Sequence, residues 1–303
     1  RHKLRRLLDR LAHVIITLGG LSVILSILGI FVFLILEVAP LFFAPTGGQS
    51  GRFAAGPFPL ELPQAALIGV DEHQEVAYLI KAGQAGSAGP IAFFSLPSGK
   101  PLATERPIAL TGVNVTAVAR ASGKGGRFGL GTDDGRVIPL AVELTPNFDK
   151  GARETVPTVV AGSPMQIVPA KDKIVRLAYQ RTDAGTAAAV LTESGRLWYS
   201  TVLPPSNPEA APTVKPVELT AQVPGTVTAL VLDGRGETLS VGTADGHLYH
   251  WDVRETGHPV LLERHKVSPS GTAVTALAYL IGDRSLVIGT STGEVAVWMP
   301  VRV

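Results

Sequence analysis

Four histidines are the first side chains in this sequence whose type and spacing suggest chemistry. His247, His250, His258 and His265 lie close together along the chain, and imidazole nitrogens are common metal ligands. However, His247 and His250 are three residues apart in a strand-like segment, and side chains at that spacing point to opposite faces of a strand. The two cannot share an ion, and we predict no metal site here.

A group of aspartates offers a second possible chemistry, a carboxylate pair for acid–base work. The residues are Asp133, Asp134, Asp233 and Asp245, and each lies in a turn-like segment that contains glycine. Aspartate in such positions usually accepts hydrogen bonds from its own backbone. We therefore predict that these side chains stabilise turns.

Motifs for covalent or nucleotide chemistry are absent from the sequence. It contains no Gly-x-Ser-x-Gly, no phosphate-binding Gly-Lys-Ser/Thr loop and no His-Glu-x-x-His. It also contains no cysteine, which excludes disulfides, thiolate metal sites, thiol nucleophiles and a lipidated N-terminal cysteine. The prediction is a protein that is not an enzyme and binds no cofactor.

Three basic residues, Lys124, Arg127 and Arg136, lie near one predicted turn. Such a group attracts anions when its charges converge, but a solvated loop explains it equally simply. We interpret it as a solvated loop, and we expect no nucleic-acid binding.

The elements that position these residues are short strands joined by tight turns. In residues 227–253, three strand-like runs are separated by Asp233-Gly234 and Asp245-Gly246. Asp-Gly between such runs is a strong hairpin signal, because both central residues of a type I′ turn need a positive φ. This segment is predicted to be an antiparallel meander.

The same pattern recurs along most of the chain. It is visible in residues 274–298, 115–142 and 175–202, and more weakly in residues 65–99. The glycines of the second turn recur about every 50 residues, the period of a β-propeller blade. They are predicted to be structural: Gly135, Gly195, Gly246 and Gly293. We predict an all-β fold, a β-propeller with about five visible blades, and a composition of 33 glycines and 23 prolines suits it.

Two tryptophans occupy matching positions in the last strands of two repeats. Trp251 and Trp298 are therefore predicted to lie in the blade core. The segments GTADGHLYHWDV and GTSTGEVAVW resemble the second half of a WD-type propeller blade, with Trp251-Asp252 where that family has its dipeptide. Because Met299 follows Trp298, the resemblance implies the propeller architecture rather than a complete set of family motifs.

The N-terminus carries a different kind of signal. Five basic residues within positions 1–10 precede an uncharged apolar run at 14–36, which at about 1.5 Å per residue spans roughly 34 Å and can cross a membrane. A cleaved signal peptide is the alternative, although its apolar region would be shorter. We predict a cytoplasmic basic N-terminus at 1–12, with a transmembrane helix and its exit at 13–43.

Small residues are spaced along one stripe of this predicted helix. They are Gly19, Ser22, Ser26 and Gly29, three or four residues apart. Small side chains allow membrane helices to approach closely. The stripe is predicted to pack against partner helices.

The remaining chain divides by composition. Residues 44–64 are rich in proline and glycine and are predicted to be a linker, and residues 65–303 are predicted to form a periplasmic propeller. The proline-containing segments 145–158 and 203–216 are predicted to be loops between blades and are candidates for contact with a partner. Five repeats are few for a closed propeller, so we expect the chain to be a fragment of a longer protein.

A second resemblance concerns the N-terminal run LLDRLAHVIITLGGLSVILSILGIFVFLILEVAPLF. It resembles the first transmembrane segment of the permease subunit of phosphate ABC transporters, in an enlarged form with a propeller inserted after that segment. The resemblance implies an inner-membrane location and further transmembrane helices as partners. It also implies contact with a periplasmic solute-binding protein and, through the rest of the complex, with an ATPase subunit.

Three classes of function follow from the sequence. The leading one is a non-catalytic component of an inner-membrane phosphate importer, and the second is a stand-alone membrane-tethered scaffold or sensor. The third is a quinone-cofactor propeller enzyme, which would need a tryptophan in every repeat. The chain has only Trp198, Trp251 and Trp298, so this enzyme class is disfavoured.

Overall fold

The computed structural model describes residues 2–42, 66–84, 91–102, 114–122, 126–148, 153–182, 185–203, 213–268 and 271–299. The chain forms two compact units, Arg1–Phe53 and Ala54–Val303. The boundary between them falls inside 44–64, the segment predicted to be a linker, and residues 43–65 lie outside the described residues.

The first unit contains one long helix. Helix α1 spans His2–Val38 and is followed by a short 3-10 helix at Ala39–Phe42, where Pro40 lacks the N–H that a continuing helix would need. The span Arg10–Val38 has 29 residues and a mean hydropathy of 2.8. It is long and apolar enough to cross a membrane, a test that N-terminal signal sequences also pass.

The described residues of the second unit form five antiparallel sheets, as the repeats predicted. The bounds of the strands are as follows. Sheet 1 contains β1 (Ala66–Val70), β2 (Val76–Lys81), β4 (Ile91–Ser95) and β5 (Pro101–Leu102). Sheet 2 contains β3 (Gly83–Gln84), β6 (Asn114–Arg120), β7 (Gly126–Thr132), β8 (Arg136–Asn147), β9 (Glu154–Ala161) and β10 (Met165–Gln166).

In each of the last three sheets, strands that are consecutive in the chain are also neighbours in the sheet. Sheet 3 contains β11 (Ile174–Thr182), β12 (Gly185–Thr192), β13 (Leu197–Leu203) and β14 (Thr213–Glu218). Sheet 4 contains β15 (Val227–Leu232), β16 (Thr238–Thr243), β17 (His247–Asp252) and β18 (Val260–Lys266). Sheet 5 contains β19 (Val274–Tyr279), β20 (Leu286–Thr290) and β21 (Val295–Trp298), three strands within the described residues.

The sheets pack face to face in chain order, which is the arrangement of propeller blades. Separate apolar clusters lie between sheets 1 and 2, 2 and 3, 3 and 4, and 4 and 5. In that order, the four clusters contain the fully buried residues Phe128, Ile174, Leu239 and Leu286. Each sheet therefore uses its neighbours to bury the apolar faces that it cannot cover alone.

The sequence suggested that the proline-containing segment 145–158 connects two sheets. In the structure it belongs to a single sheet. Strands β8 and β9 pair through it, with Thr145 opposite Val156 and Asn147 opposite Glu154. Alternate residues of β9, such as Thr155 and Val159, are buried, so the segment has the period of a strand. The second candidate segment, 203–216, contributes Thr213–Glu218 to β14, and its residues 204–212 lie outside the described residues.

Prolines occur in the outermost strands of three sheets. Pro101 lies in β5, Pro157 in β9 and Pro216 in β14. A proline has no N–H for a further ladder, so it is tolerated at a sheet edge and restricts pairing there. Strand β21, the outer strand of sheet 5 in the described residues, contains no proline.

Candidate functional site

The second turn of four sheets is built from the same four-residue pattern. Its glycine has a positive φ in every case, at 80° for Gly135, 84° for Gly195, 80° for Gly246 and 83° for Gly293. The threonine three residues earlier is buried. The four threonines are Thr132, Thr192, Thr243 and Thr290.

The threonine hydroxyls hold these turns closed. Thr132 Oγ1 and Thr243 Oγ1 donate to Asp134 at 2.6 Å and Asp245 at 2.5 Å, and each accepts the backbone N–H of the residue after the glycine. Sequence reasoning identified the glycines but missed the threonines. The repeated pattern Thr-x-(Asp/Ser/Thr)-Gly, visible as TDDG, TESG, TADG and TSTG, carries that signal.

The aspartates lie in turns, where the sequence placed them, but the turns are not of type I′, because Asp245 has no positive φ and Gly236 rather than Gly234 has one. Asp233 Oδ1 accepts the N–H groups of Glu237 at 2.7 Å and Thr238 at 2.9 Å. Burial raises the pKa of the Asp233 carboxyl above its usual range, although these hydrogen bonds act in the opposite direction. The hydrogen bond from Thr243 lowers the pKa of Asp245, and the Arg136 guanidinium, 2.6 Å away, lowers the pKa of Asp134.

The two tryptophans occupy equivalent positions in the sheet register. Trp251 lies opposite Leu239, and Trp298 lies opposite Leu286. Trp251 is fully buried between sheets 3 and 4, and its Nε1 donates to Gln222 Oε1 at 2.9 Å. Trp298 is half-buried and packs on the cluster between sheets 4 and 5.

The histidines that suggested a metal site separate to different environments. His247 Nδ1 lies 2.8 Å from Asp245 Oδ2. His250 is buried, and its Nδ1 lies 2.9 Å from Ser240 Oγ. Burial lowers the pKa of His250. Among the residues that the structure describes, no three His, Asp or Glu side chains converge as metal ligands.

His250 belongs to a polar network that joins sheets 4 and 5. Ser240 Oγ also lies 3.0 Å from the Tyr279 hydroxyl, which in turn lies 3.1 Å from Thr238 Oγ1. The rings of His250 and Trp298 are 5.0 Å apart. The pair Ser240 and His250 has the composition of a nucleophile and a base, but both side chains are buried, and their role here is to hold two sheets together.

Gln180 connects three sheets and was not found from the sequence. Its side chain is buried, its Oε1 accepts the Ser122 N–H at 2.9 Å, and its Nε2 donates to Ser122 O at 3.1 Å and also to Gly234 O. A single glutamine therefore satisfies backbone groups in turns of sheets 2 and 4 from its place in sheet 3. Its partners are more than 50 residues away in sequence, beyond the reach of any local pattern.

Two of the three basic residues noted near one turn, Arg127 and Arg136, lie apart in the structure. Arg127 lies at the start of β7 and Arg136 at the start of β8, on opposite ends of the hairpin that the two strands make. Arg136 is also paired with Asp134. Lys124 lies outside the described residues. The residues were close in sequence, but a strand of seven residues separates their side chains.

The stripe of small residues predicted to pack against partner helices lies on α1. A methyl group added at Gly19 or Gly29 would meet nothing within 4 Å, and Ser26 Oγ donates to the carbonyl of Ser22 at 2.9 Å inside the helix. The small residues leave room beside the helix axis, as close helix packing requires. Packing of this stripe against partner helices stays a prediction.

Among the described residues, sheet 5 has an open apolar face. On the side of sheet 5 away from sheet 4, register aligns Ala278, Val287 and Val297, and next to them Ala276, Gly289 and Val295. Val295 is 72% exposed and Val297 is 58% exposed. We call these six residues the sheet 5 face.

The equivalent face of sheet 4 shows what such a surface does elsewhere in the molecule. Leu248 lies opposite Gly242 as Val295 lies opposite Gly289, and His250 lies opposite Ser240 as Val297 lies opposite Val287. Leu248 and His250 are 1% and 5% exposed because sheet 5 covers them. The sheet 5 face therefore has the geometry of an interface between sheets, with an apolar composition suited to burial.

Comparisons with known proteins identify no family. No protein-family model and no curated protein matches the chain. Solved structures similar to it include the β-propeller domain of Myceliophteria thermophila Cps50 (Swd1), at 14% identity and a TM-score of 0.46, over 78% of this chain and 65% of that one. Chaetomium thermophilum Sqt1 bound to the N-terminus of the ribosomal protein L10 has 17% identity and a TM-score of 0.48, over 79% of this chain and 61% of that one. The chain thus spans less than two thirds of either length.

Proposed function

We propose that this protein is a membrane-anchored propeller that binds a protein partner and performs no catalysis. The observation that carries the proposal is the sheet 5 face, where Val295 and Val297 are exposed although their counterparts in sheet 4 are buried. We propose a partner that presents a β-sheet, because a sheet offers both an apolar face to stack on these residues and a strand to pair with β21.

The finer proposal is that the chain is part of the permease of an inner-membrane phosphate importer. Its support is the sequence resemblance of the N-terminal run, together with a helix of suitable length at Arg10–Val38. In this proposal the basic N-terminus is cytoplasmic, the propeller is periplasmic, and the sheet 5 face docks the solute-binding protein. A stand-alone tethered scaffold or sensor is the alternative, and it shares the same docking face.

The experiment compares two valine-to-aspartate variants in cells that depend on the chain. Val295→Asp places a charge in the sheet 5 face, and Val260→Asp places one at a similarly exposed valine, 54% exposed, in the outer strand of sheet 4. We expect Val295→Asp to abolish binding of the purified solute-binding protein and to lower phosphate uptake about tenfold or more, because burying an unpaired carboxylate is costly. Val260→Asp should leave both unchanged.

The two levels of the proposal fail in different ways. If deleting the whole chain leaves phosphate uptake unchanged, the importer role is wrong. If deletion stops uptake but Val295→Asp behaves like Val260→Asp, the importer role stands and the docking face is wrong.

A further inference from the structure

The inner strands of four sheets share a register break that makes their residues directly comparable. The break falls between Val115 and Ala117 in β6, between Ile174 and Arg176 in β11, between Val227 and Ala229 in β15, and between Val274 and Ala276 in β19. The residue after the break is alanine in three sheets. In sheet 3 it is Arg176, so a long cationic side chain replaces a methyl group at one equivalent position.

These four positions surround a cavity on the inner side of the sheets. Its volume is about 300 Å³, and it is lined by residues of β6, β11, β15 and β19. Most of the lining is aliphatic, including Leu177, Leu230 and Leu277. Arg176 is the one charged residue in the lining, all of which lies within the described residues.

The charge of Arg176 is not balanced by the described parts of the protein. Other arginines pair closely with carboxylates, as Arg196 does with Glu218 at 2.6 Å. No carboxylate of the described residues lies within 4.0 Å of Arg176. Arg176 is itself exposed to the cavity. A guanidinium cannot lose its proton in a protein, so this cavity presents a permanent positive charge that attracts anions.

The remaining polar side chains in the lining restrict the kind of anion that fits. Thr228 Oγ1 donates to the carbonyl of Gly242 at 3.1 Å, and Thr275 Oγ1 donates to the carbonyl of Gly289 at 3.3 Å. Their hydroxyl hydrogens are therefore already used inside the sheets. Arg176 is the single side-chain donor left in the lining, which matches the two oxygens of one carboxylate better than the larger number of oxygens of a phosphate dianion.

We propose that this cavity binds a monocarboxylate carried on a compact apolar group, with Arg176 holding the carboxylate. A guanidinium donates two parallel N–H groups to the two oxygens of one carboxylate. The three leucines contact the apolar part, and the alanines at the equivalent positions leave room for it. A free organic acid and a glutamate side chain on a partner protein both have this chemistry. The site does not depend on the importer role, and it shares only Ala276 with the sheet 5 face.

The test uses the full chain in detergent micelles, with the leucine methyl groups labelled for NMR. Benzoate is the free-acid probe, and benzamide is its neutral control. Acetyl-Leu-Glu-Leu-amide is the side-chain probe, with the glutamine peptide as its control. We expect saturable shifts of the Leu177, Leu230 and Leu277 methyl signals with at least one charged probe and with neither neutral one, and the tighter of the two charged probes identifies the source of the carboxylate.

Variants at Arg176 complete the test. Arg176→Ala introduces the residue that three other sheets already carry, so the fold should be kept and leucine methyl signals outside the lining should stay unchanged, while binding of the charged probe should weaken about tenfold or more. Arg176→Lys should keep part of the affinity, and Arg284→Gln, at an exposed arginine outside the lining, should keep all of it. Equal binding of charged and neutral probes, no saturable shift with either charged probe, or full binding by Arg176→Ala would overturn the proposal.

Discussion

His250 is a single side chain whose ionisation should affect the stability of the whole propeller. It is buried against Ser240 and Trp298, and desolvation lowers its pKa below the ordinary value of about 6.5. Nearby Glu263 and Asp252 oppose this shift, whereas His265 adds to it. Because the folded state holds the imidazole neutral, the unfolded state binds a proton more readily.

The predicted consequence is a loss of stability on acidification. The contribution of His250 is complete above the unfolded pKa of about 6.5 and declines as the pH falls from there to the lower folded pKa, by about 1.4 kcal/mol for each pH unit in that window. Denaturant unfolding of the wild type and of His250→Gln, measured from pH 7.5 to 5, should show a smaller decline in the variant. His258→Gln, at an exposed histidine, serves as the control, and identical slopes for all three proteins would contradict the prediction.

Trp251 and Trp298 should differ in their effects on stability although they are equivalent in sequence. Truncating a fully buried tryptophan to alanine typically costs about 3–5 kcal/mol, and Trp251 also loses its hydrogen bond to Gln222. We expect Trp251→Ala to lower the melting temperature by roughly 10 °C, and Trp298→Ala, at a half-buried site, to lower it less. Thermal melts followed by circular dichroism measure both, and a larger loss for Trp298→Ala would show that our assignment of the core is wrong.

The tight turns are the structural elements for which the sequence was most informative. Gly246 and Gly293 both have positive φ, but only Gly246 is crowded, since a methyl group there would lie 2.8 Å from the carbonyl oxygen of Thr272. At Gly293 the same methyl group would meet nothing within 4 Å. An alanine substitution at Gly293 therefore measures backbone strain alone, and one at Gly246 measures backbone strain together with steric overlap.

We expect Gly293→Ala to cost about 1–2 kcal/mol, which is the penalty for a left-handed non-glycine residue. Gly246→Ala should cost more, because the Thr272 carbonyl must also move. Unfolding free energies from denaturant titration decide the question. Equal losses in the two variants would mean that the inter-sheet segment near Thr272 yields freely.

The sequence predicted features whose residues lie close together along the chain, and it missed contacts between residues that are far apart along the chain. Turn glycines and strand periods are local, so residues such as Gly246 and the meander at 227–253 identified five sheets. Gln180 and His250 act on residues in other sheets, and their roles follow only from three-dimensional contacts. The segment 145–158 was misassigned because its prolines suggested a loop, whereas Pro157 is compatible with the edge strand β9.

For the whole molecule, the orientation of the N-terminal helix is the most consequential prediction. The excess of basic residues before Arg10–Val38 favours a cytoplasmic N-terminus. A reporter that is active only in the periplasm, fused after Pro63, should be active, and a cytoplasmic reporter at the same joint should be silent. The reverse result would exclude a periplasmic propeller and with it the docking of a solute-binding protein.

The proline residues at the sheet edges have a consequence for how this protein behaves when crowded. Pro101, Pro157 and Pro216 interrupt the outer hydrogen-bonding rows of sheets 1, 2 and 3, so nascent copies emerging from neighbouring ribosomes have few edges on which to form shared β-structure. Strand β18 has no proline but carries Glu263, Arg264 and Lys266, whereas strand β21 has neither a proline nor a charged residue. Strand β21 can therefore pair either with the correct partner or with an identical chain. We expect slow delivery of the partner to produce insoluble protein before any loss of activity.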